Sequence, residues 1–459
     1  GLPGIHHVMA RAIKDIFCRY QTQKGHRVDR KAGWDTHGLP IELGVEKELG
    51  ITKEDIGKKI SIEEYNAACK KAVMRYTDVW NDMTRRIGFW LDLEHPYVTY
   101  HTKYIESVWH LLKKLYDDQL LYKGYTIQPY SPAAGTGLSS HELNQPGTYK
   151  PVKDTSAVAM FKVKPDHASE FLFNDAFGDV FILAWTTTPW TLPSNCALTV
   201  GPKLEYVRVK TFNPYTHEPQ TVVLAKSTFF NVFKGEKLLL DWVVASLGGS
   251  VASVESSPDR GFDGVVVLDG EEWLIELKLG RFDLDARRKA LTLAAGRNVL
   301  FVGGADEATR SIDALEAEFA TTKVRFLSLQ ALLDEQPTFY GHQLEGVRYE
   351  QLLPYAQPEG GDAFLVIGGD FVTTEDGTGV VHTAPSFGAD DQRVARQHGI
   401  GSLTLVDLRG RFKPEVTDFA GEYVKAEYLS KEEQEAEAKK QGRNKYLSVD
   451  ERIAIKLKT

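Results

Sequence analysis

Val180-Phe181-Ile182-Leu183-Ala184 runs directly into Trp185-Thr186-Thr187-Thr188-Pro189-Trp190-Thr191-Leu192-Pro193-Ser194-Asn195. The first five residues have the β-branched and aromatic content, and the length, of a buried strand. A strand therefore delivers four Thr hydroxyls, two indoles and a carboxamide to one fixed place. Hydroxyls and amides orient a substrate and a water but supply no strong base or nucleophile, so the run suggests recognition coupled to positioned hydrolysis. Taken alone, it reads equally as a Thr/Pro-rich turn capped by tryptophans.

Outward from this run, short alternating or apolar stretches recur at Val158–Val163, Tyr206–Val209 and Val222–Ala225, and predict a β-rich domain. Farther on, Thr373-Thr374-Glu375-Asp376-Gly377-Thr378-Gly379-Val380-Val381-His382-Thr383-Ala384-Pro385, followed by Gly388-Ala389-Asp390-Asp391, sets a His and paired carboxylates after a Gly-containing turn. By itself this is also the pattern of a hairpin with a charged exit.

The whole chain has 459 residues, which suggests about two to four domains at roughly 100–200 residues each. Its 42% hydrophobic and 26% charged residues are those of a water-soluble protein. No apolar run approaches the ~20 residues a membrane-spanning helix needs. A net charge of -8 gives no global basic signal, so any nucleic-acid contact must use local patches. Three isolated cysteines, with no Cys-x-x-Cys pair and no secretory leader, predict a reducing, cytoplasmic setting. The chain begins Gly1-Leu2-Pro3 without an initiator Met, from which a missing N-terminus is expected.

Near the start, His6-His7 precedes a three- and four-residue apolar repeat that predicts a helix through about Tyr20. Histidines at a helix N-terminus sit where free amides and the dipole attract phosphate. Gly33-Trp34-Asp35-Thr36-His37-Gly38-Leu39-Pro40-Ile41-Glu42 follows, with a carboxylate suited to an ammonium and a His suited to a phosphate or hydroxyl. Arg19, Lys24, Arg27, Arg30 and Lys31 form a local basic cluster, which suits nucleotide phosphates or is a solvated face. Two long helices are predicted next, one with a stripe from Tyr65 through Tyr76 to Ile87, the other with Ile105, Val108, Leu112, Leu115 and Tyr116 as a packing face.

The run Gly33–Glu42, with Tyr122–Asn144, resembles the Gly-Trp-Asp-x-His-Gly-Leu-Pro-x-Glu signature region of class I isoleucyl-tRNA synthetases, a resemblance spanning roughly 1–233 and 339–458. It implies a multidomain α/β architecture: a partial Rossmann-like catalytic domain over 1–150, a β-rich editing domain in two parts over 151–236 and 338–445, and a return toward the catalytic half over 446–459. It also implies ATP with Mg2+, isoleucine and its tRNA as substrates and partners. His7, Asp35, His37 and Glu42 then serve substrate and ATP, with Asp35 on the isoleucine amino group. The family's His-x-Gly-His motif is only partly kept: His7 holds its position, but His6 stands where Gly is usual and Gly4 where the first His is usual. Lys-Met-Ser-Lys-Ser, the second ATP motif, is absent. An N-terminal fragment that cannot aminoacylate without its missing C-terminal half is therefore expected.

In the same family, the Thr-rich strand and the Gly-Thr-Gly-x-x-His-Thr-Ala-Pro segment face one editing pocket. The resemblance implies that Thr186, Thr187, Thr188 and Asn195 line it, that His382 helps position the substrate, and that Asp391 holds its amino group. The need is physical. Isoleucine exceeds valine by one methylene, worth only ~1–3 kcal/mol, and isoleucyl enzymes are the standard worked case of this limit. Hydrolysis of the ester in mischarged valyl-tRNA is the implied reaction.

Residues 237–337 read as foreign to this pattern. Between Lys237 and Gln336 there is no Tyr or His, although the chain has 19 Tyr and 13 His, and Pro258 is the only proline there. Phe233-Lys234-Gly235-Glu236-Lys237-Leu238 before the segment is echoed by Phe339-Tyr340-Gly341-His342-Gln343-Leu344 after it, and either suits the strand that belongs to the editing domain. The pattern predicts a small α/β module of about one domain's size. Its expected elements are helices at Leu238–Leu247, Leu284–Ala295 and Thr309–Phe319, strands at Val251–Val254, Val299–Val302 and Val324–Leu327, and a hairpin. A two-residue turn at Asp269-Gly270 places Asp263 opposite Glu276, with Lys278 two residues on and on the same face. Two carboxylates beside a lysine suit Mg2+ and an activated water. Asp263, Glu276 and Lys278 resemble the Asp…Glu-x-Lys core of the restriction-endonuclease-like nucleases, which implies a metal-dependent nuclease module as the alternative function; a solvent-facing strand of alternating charge has the same sequence. A third outcome is an inactive fragment. The Glu/Lys-rich stretch Glu427–Lys445 predicts an exposed helix or a linker.

Overall fold

The computed structural model describes residues 2–248, 262–279, 284–304, 315 and 317–458. The chain divides into two compact units, Gly1–Thr126 with Ala133–Gly137, and Ile127–Pro132 with Leu138–Thr459. No helix among the described residues is long and apolar enough to cross a membrane.

The first unit opens with α1 (Ile5–Gln23), a little longer than the repeat predicts. Next come β1 (Lys31–Trp34), α2 (Leu39–Leu49), α3 (Ile62–Val73), α4 (Thr77–Arg86), β2 (Asp92–Val98) and α5 (Thr102–Asp117). Strands β1 and β2 pair in parallel, as a Rossmann-like half requires. The expected single helix from Tyr65 to Ile87 is instead two, because Tyr76 leaves helical geometry at φ −113°, ψ 12°. Thr77 donates both its amide and its hydroxyl to Met74 O, which closes the break. The predicted packing face of α5 is also not buried within its unit: Val108, Leu112 and Leu115 are 38%, 41% and 43% exposed. A two-stranded sheet offers too little surface to cover it.

In the second unit, β3 (Ala157–Lys162), β4 (Asp179–Thr186), β6 (Glu205–Phe212) and β7 (Pro219–Ala225) follow the predicted apolar runs, and β5 (Ala197–Val200) is a further strand between β4 and β6 in the chain. Helix α6 (Glu236–Ser246) leads into the inserted segment, with β8 (Gly264–Leu268), β9 (Glu271–Lys278), α7 (Leu284–Ala294), β10 (Asn298–Gly303), β11 (Val324–Ser328) and α8 (Leu329–Asp334). Then come β12 (Thr338–Tyr340), β13 (Leu365–Gly368), β14 (Val380–Thr383), α9 (Ala389–Gln397), α10 (Lys431–Lys440) and α11 (Val449–Lys456). A five-stranded sheet runs β12-β6-β7-β4-β3, and a three-stranded sheet runs β13-β5-β14. Of the two echoed runs, the one at Phe339 forms the strand, pairing antiparallel with β6, whereas Phe233 ends a short helix.

The inserted segment builds its own four-stranded sheet, β8-β9-β10-β11, antiparallel in its first pair and parallel thereafter. The hairpin register is the expected one, with Gly264 opposite Ile275 and Leu268 opposite Glu271. Asp269 and Gly270 both take positive φ, 54° and 79°, the pattern that matches a two-residue turn to strand twist. Val251–Val254 lies outside the described residues, as does most of Thr309–Phe319.

The packing shows how the inserted segment joins the rest of the second unit. Every residue of α6 from Leu239 to Ala245 is buried, the mark of a helix enclosed on all sides. One hydrophobic cluster joins Leu183, Val207 and Val222 of the five-stranded sheet to Trp242 of α6 and to Trp273 and Leu300 of the inserted sheet. Helix α6 is thus the filling between two sheets. A second cluster, including Leu274, Leu291 and Phe301, covers the far face of the inserted sheet.

Candidate functional site

Strand β4 ends at Thr186, and the chain then turns through the 3-10 segment Pro189–Ser194. Pro189 at the first position of that turn has no amide to leave unsatisfied. The turn folds the hydroxyls onto one another. Thr188 N donates to Thr186 Oγ1 at 3.0 Å, and Thr188 Oγ1 lies 3.3 Å from Thr186 Oγ1 and 3.4 Å from Thr191 Oγ1. Thr186 is buried, Thr188 half-buried and Thr187 exposed.

A buried network supports this wall from behind. Thr191 donates its hydroxyl to Thr188 O at 2.8 Å, so its oxygen accepts from His382 Nε2, also 2.8 Å away. His382 Nδ1 then accepts from Asn195 Nδ2 at 3.3 Å, and Asn195 Oδ1 accepts from the Tyr349 hydroxyl at 2.7 Å. The chain of donors fixes one neutral tautomer of His382. Burial holds that imidazole down to about 4, consistent with the uncharged form. Asn195 is 2% exposed and spends its amide on Ala197 O and His382. His382 and Asn195, 7% and 2% exposed, thus stand behind the hydroxyl wall and brace it. Thr191 and Tyr349 complete the network; Thr191 lies within the quoted run, but no local signal marks Tyr349.

The second wall is β14 and the chain after it. Gly379 (φ 70°) brings the preceding turn against β7, where a Cβ would come within 2.3 Å of Ala225 Cβ. Beyond β14, Asp391 in the first turn of α9 accepts from Ala384 N at 2.8 Å. Ala384 is two residues from His382, so the carboxylate and the Thr-bearing turn are tied to the same short stretch. Burial raises the Asp391 pKa, opposed by the Ala384 amide. Trp190 packs edge-on against Phe387 at 5.1 Å and joins the two walls. Trp190 N also donates to Asp450 Oδ1 at 2.7 Å, and Asp450 is held by Lys425 at 3.3 Å.

His382 carries a pH prediction. Its pKa is lower folded than unfolded, so its stabilising effect is complete above about pH 6.5 and is lost as pH falls toward 4. The loss amounts to roughly 2–3 kcal/mol. Asp391, Asp450 and Glu276, all raised by burial, contribute slopes of opposite sign. The diagnostic is therefore a comparison: urea midpoints of the parent fall more steeply between pH 6.5 and 4 than those of His382→Gln. Parallel slopes contradict the assignment.

In the first unit, His7 lies in the first turn of α1 and accepts from Gly4 N through Nδ1 at 2.9 Å, which leaves Nε2 as a donor. Asp35 is exposed just past the C-terminal end of β1. His37 Nδ1 lies 3.0 Å from Thr99 Oγ1, just past the end of β2. Ligands of open parallel sheets bind at this carboxyl edge, and a helix N-terminus with an imidazole donor fits a nucleotide phosphate. Glu42 sits half-buried in the first turn of α2.

Asp263, just ahead of β8, comes near Glu276 and donates its amide to Ile275 O at 2.8 Å, but the two carboxylates do not fit a divalent cation. Glu276, 4% exposed, pairs with the equally buried Arg287 at 2.9 Å, so a guanidinium already neutralises it. Asp263 Oδ2 accepts from Leu277 N at 2.6 Å, and Lys278 is exposed. Among the described residues no group of three His, Cys, Asp or Glu could hold a metal. Millimolar Mg2+ is accordingly expected to leave the thermal midpoint of the parent unchanged, as it does that of Glu276→Gln; a shift confined to the parent overturns this.

Residues 1–372 match the profile of the family described as tRNA synthetases class I (I, L, M and V). The chain belongs to this family. It is 52% identical, over all of its length, to an isoleucine–tRNA ligase of Cytophaga hutchinsonii, of which it covers 34%. Identity to the isoleucine–tRNA ligase of Porphyromonas gingivalis is 50%, with 92% of this chain and 30% of that one covered. The chain thus spans about a third of the length of the curated relatives it matches. A crystal structure of the P. falciparum cytosolic leucyl-tRNA synthetase editing domain is similar at 10% identity and a TM-score of 0.28, over 66% of this chain and 85% of that one.

Proposed function

We propose that this class I synthetase chain carries the editing pocket of an isoleucine-specific enzyme and hydrolyses the ester of mischarged valyl-tRNA. ATP-dependent attachment of isoleucine to its tRNA is the activity of the whole protein, with His7, Asp35, His37 and Glu42 serving ATP and isoleucine. ATP would supply the activation of the amino-acid carboxylate.

The observation that carries the reading is the locked hydroxyl wall, Thr186, Thr188 and Thr191, braced by neutral His382 and tied through Ala384 to Asp391. Without a strong base, the wall acts by holding a water near the ester carbonyl, assisted by the ribose hydroxyl of the substrate. Thr187 and Thr188 are the accessible members. Asp391 pairs with the substrate ammonium, and discrimination against isoleucine would act on its one extra methylene. Thr188→Val keeps the shape and removes one hydroxyl, so kcat for deacylation should fall about tenfold with little change in KM. An unchanged kcat removes Thr188 from the water's environment.

A further inference from the structure

The 3-10 turn Pro189–Ser194 that carries the hydroxyl wall is capped from a distance. A helical turn leaves its first amides without internal partners, and a threonine just before it ordinarily supplies an acceptor through its hydroxyl. Thr188 stands at that position but makes no side-chain cap hydrogen bond. Pro189 has no amide to offer, and Thr188 O accepts from the Thr191 amide at 3.0 Å, which leaves the Trp190 amide to be satisfied. Asp450 of α11 accepts it, through Oδ1 at 2.7 Å. Thr188 Oγ1 thereby faces hydroxyl neighbours instead, Thr186 Oγ1 at 3.3 Å and Thr191 Oγ1 at 3.4 Å.

Asp450 serves this contact rather than its own helix. An acid in the first turn of a helix usually complements that helix's free amides. In α11, Ser448 and Glu451 already form a reciprocal cap, with Glu451 N donating to Ser448 Oγ at 3.2 Å and Ser448 N donating to Glu451 Oε2 at 2.8 Å. Asp450 is turned inward, 4% exposed, and its other oxygen meets Lys425 Nζ at 3.3 Å, which Asp154 also holds at 2.9 Å. Val449 and Ile453 of the same helix join Leu192 of the turn in one buried cluster, so the carboxylate rides on a fixed element.

We infer that Asp450 is a positioning residue for editing: by capping the Thr-bearing turn from α11, it frees the Thr188 hydroxyl to hold the water that attacks the ester. The inference rests on the editing reading. Without the carboxylate, Thr188 Oγ1 turns to the Trp190 amide, which preserves the fold and withdraws the hydroxyl from the pocket. Asp450→Ala should therefore lower kcat for valyl-tRNA deacylation about tenfold with little change in KM, and Asp450→Asn, which keeps an oxygen for that amide, should recover most of it. Combination with Thr188→Val separates positioning from general support. The doubly substituted chain should lose about tenfold in kcat, rather than the roughly hundredfold of two independent effects. Thermal midpoints should depart from additivity in the opposite sense. Asp450→Ala should lower the midpoint by at least about 2 °C more in the Thr188→Val background, where no hydroxyl can replace the lost cap. An unchanged kcat in Asp450→Ala, an Asp450→Asn as slow as Asp450→Ala, kcat losses that multiply, or equal midpoint losses in the two backgrounds would each overturn the inference. A parent that releases no valine from valyl-tRNA contradicts the editing reading instead, and the midpoints still decide whether Asp450 replaces Thr188 as the cap.

Discussion

Asp391→Ala is expected to slow deacylation of valyl-tRNA by about 100- to 1000-fold, equivalent to roughly 3–4 kcal/mol. The size follows from where the carboxylate sits. Burial raises its pKa, so water solvates it poorly, and Ala384 N engages one of its oxygens. A substrate ammonium arriving there gains a charge-assisted bond in a poorly screened setting, whereas the same pair at the surface is worth at most about 1 kcal/mol. Asp391→Asn keeps the Ala384 contact and loses only the charge. It should therefore lose most of the rate while retaining the parent's thermal midpoint. A variant that deacylates at the parent rate contradicts the assignment of the ammonium to Asp391.

Trp242→Ala is expected to destabilise the second unit by about 3–5 kcal/mol, because it empties a fully buried indole site. What distinguishes a shared core from a tethered module is the extent of the damage. The indole packs at 4.5 Å against Phe229, which precedes the insert, and belongs to the cluster that holds Val207 and Trp273 together. The loss should therefore appear in amide exchange of β6 and β7 as well as of β9 and β10. Protection lost only in the inserted sheet would mean that the two sheets unfold independently.

These two sites differ in how far the sequence revealed them. Strand runs and the Asp269-Gly270 turn were legible because period-two alternation and positive-φ preferences are local; they gave the register of β8 on β9 and brought Asp263 near Glu276. The role of that pair was not legible. Arg287 closes the ion pair from a helix nine residues after Lys278, and nothing around Glu276 announces it. The enclosure of α6 was equally hidden, since it depends on residues such as Leu183 and Leu300 that meet only in the folded core. Within the editing wall, residue types gave the hydroxyls but not their accessibility. Asn195 and His382 became supports because Tyr349 and Thr191, distant from them in different ways, saturate their polar atoms. The break at Tyr76 escaped the periodicity because the apolar stripe continues across it.

The central claim is that this pocket hydrolyses a valine ester and spares an isoleucine ester. Single-turnover release of the amino acid from valyl-tRNA and isoleucyl-tRNA carrying the same tRNA measures it directly. The account predicts hydrolysis of the valine ester at least about 100-fold faster than of the isoleucine ester, a ratio of the order available from one methylene. Equal rates on the two esters, or no release above the uncatalysed rate from valyl-tRNA, would contradict it.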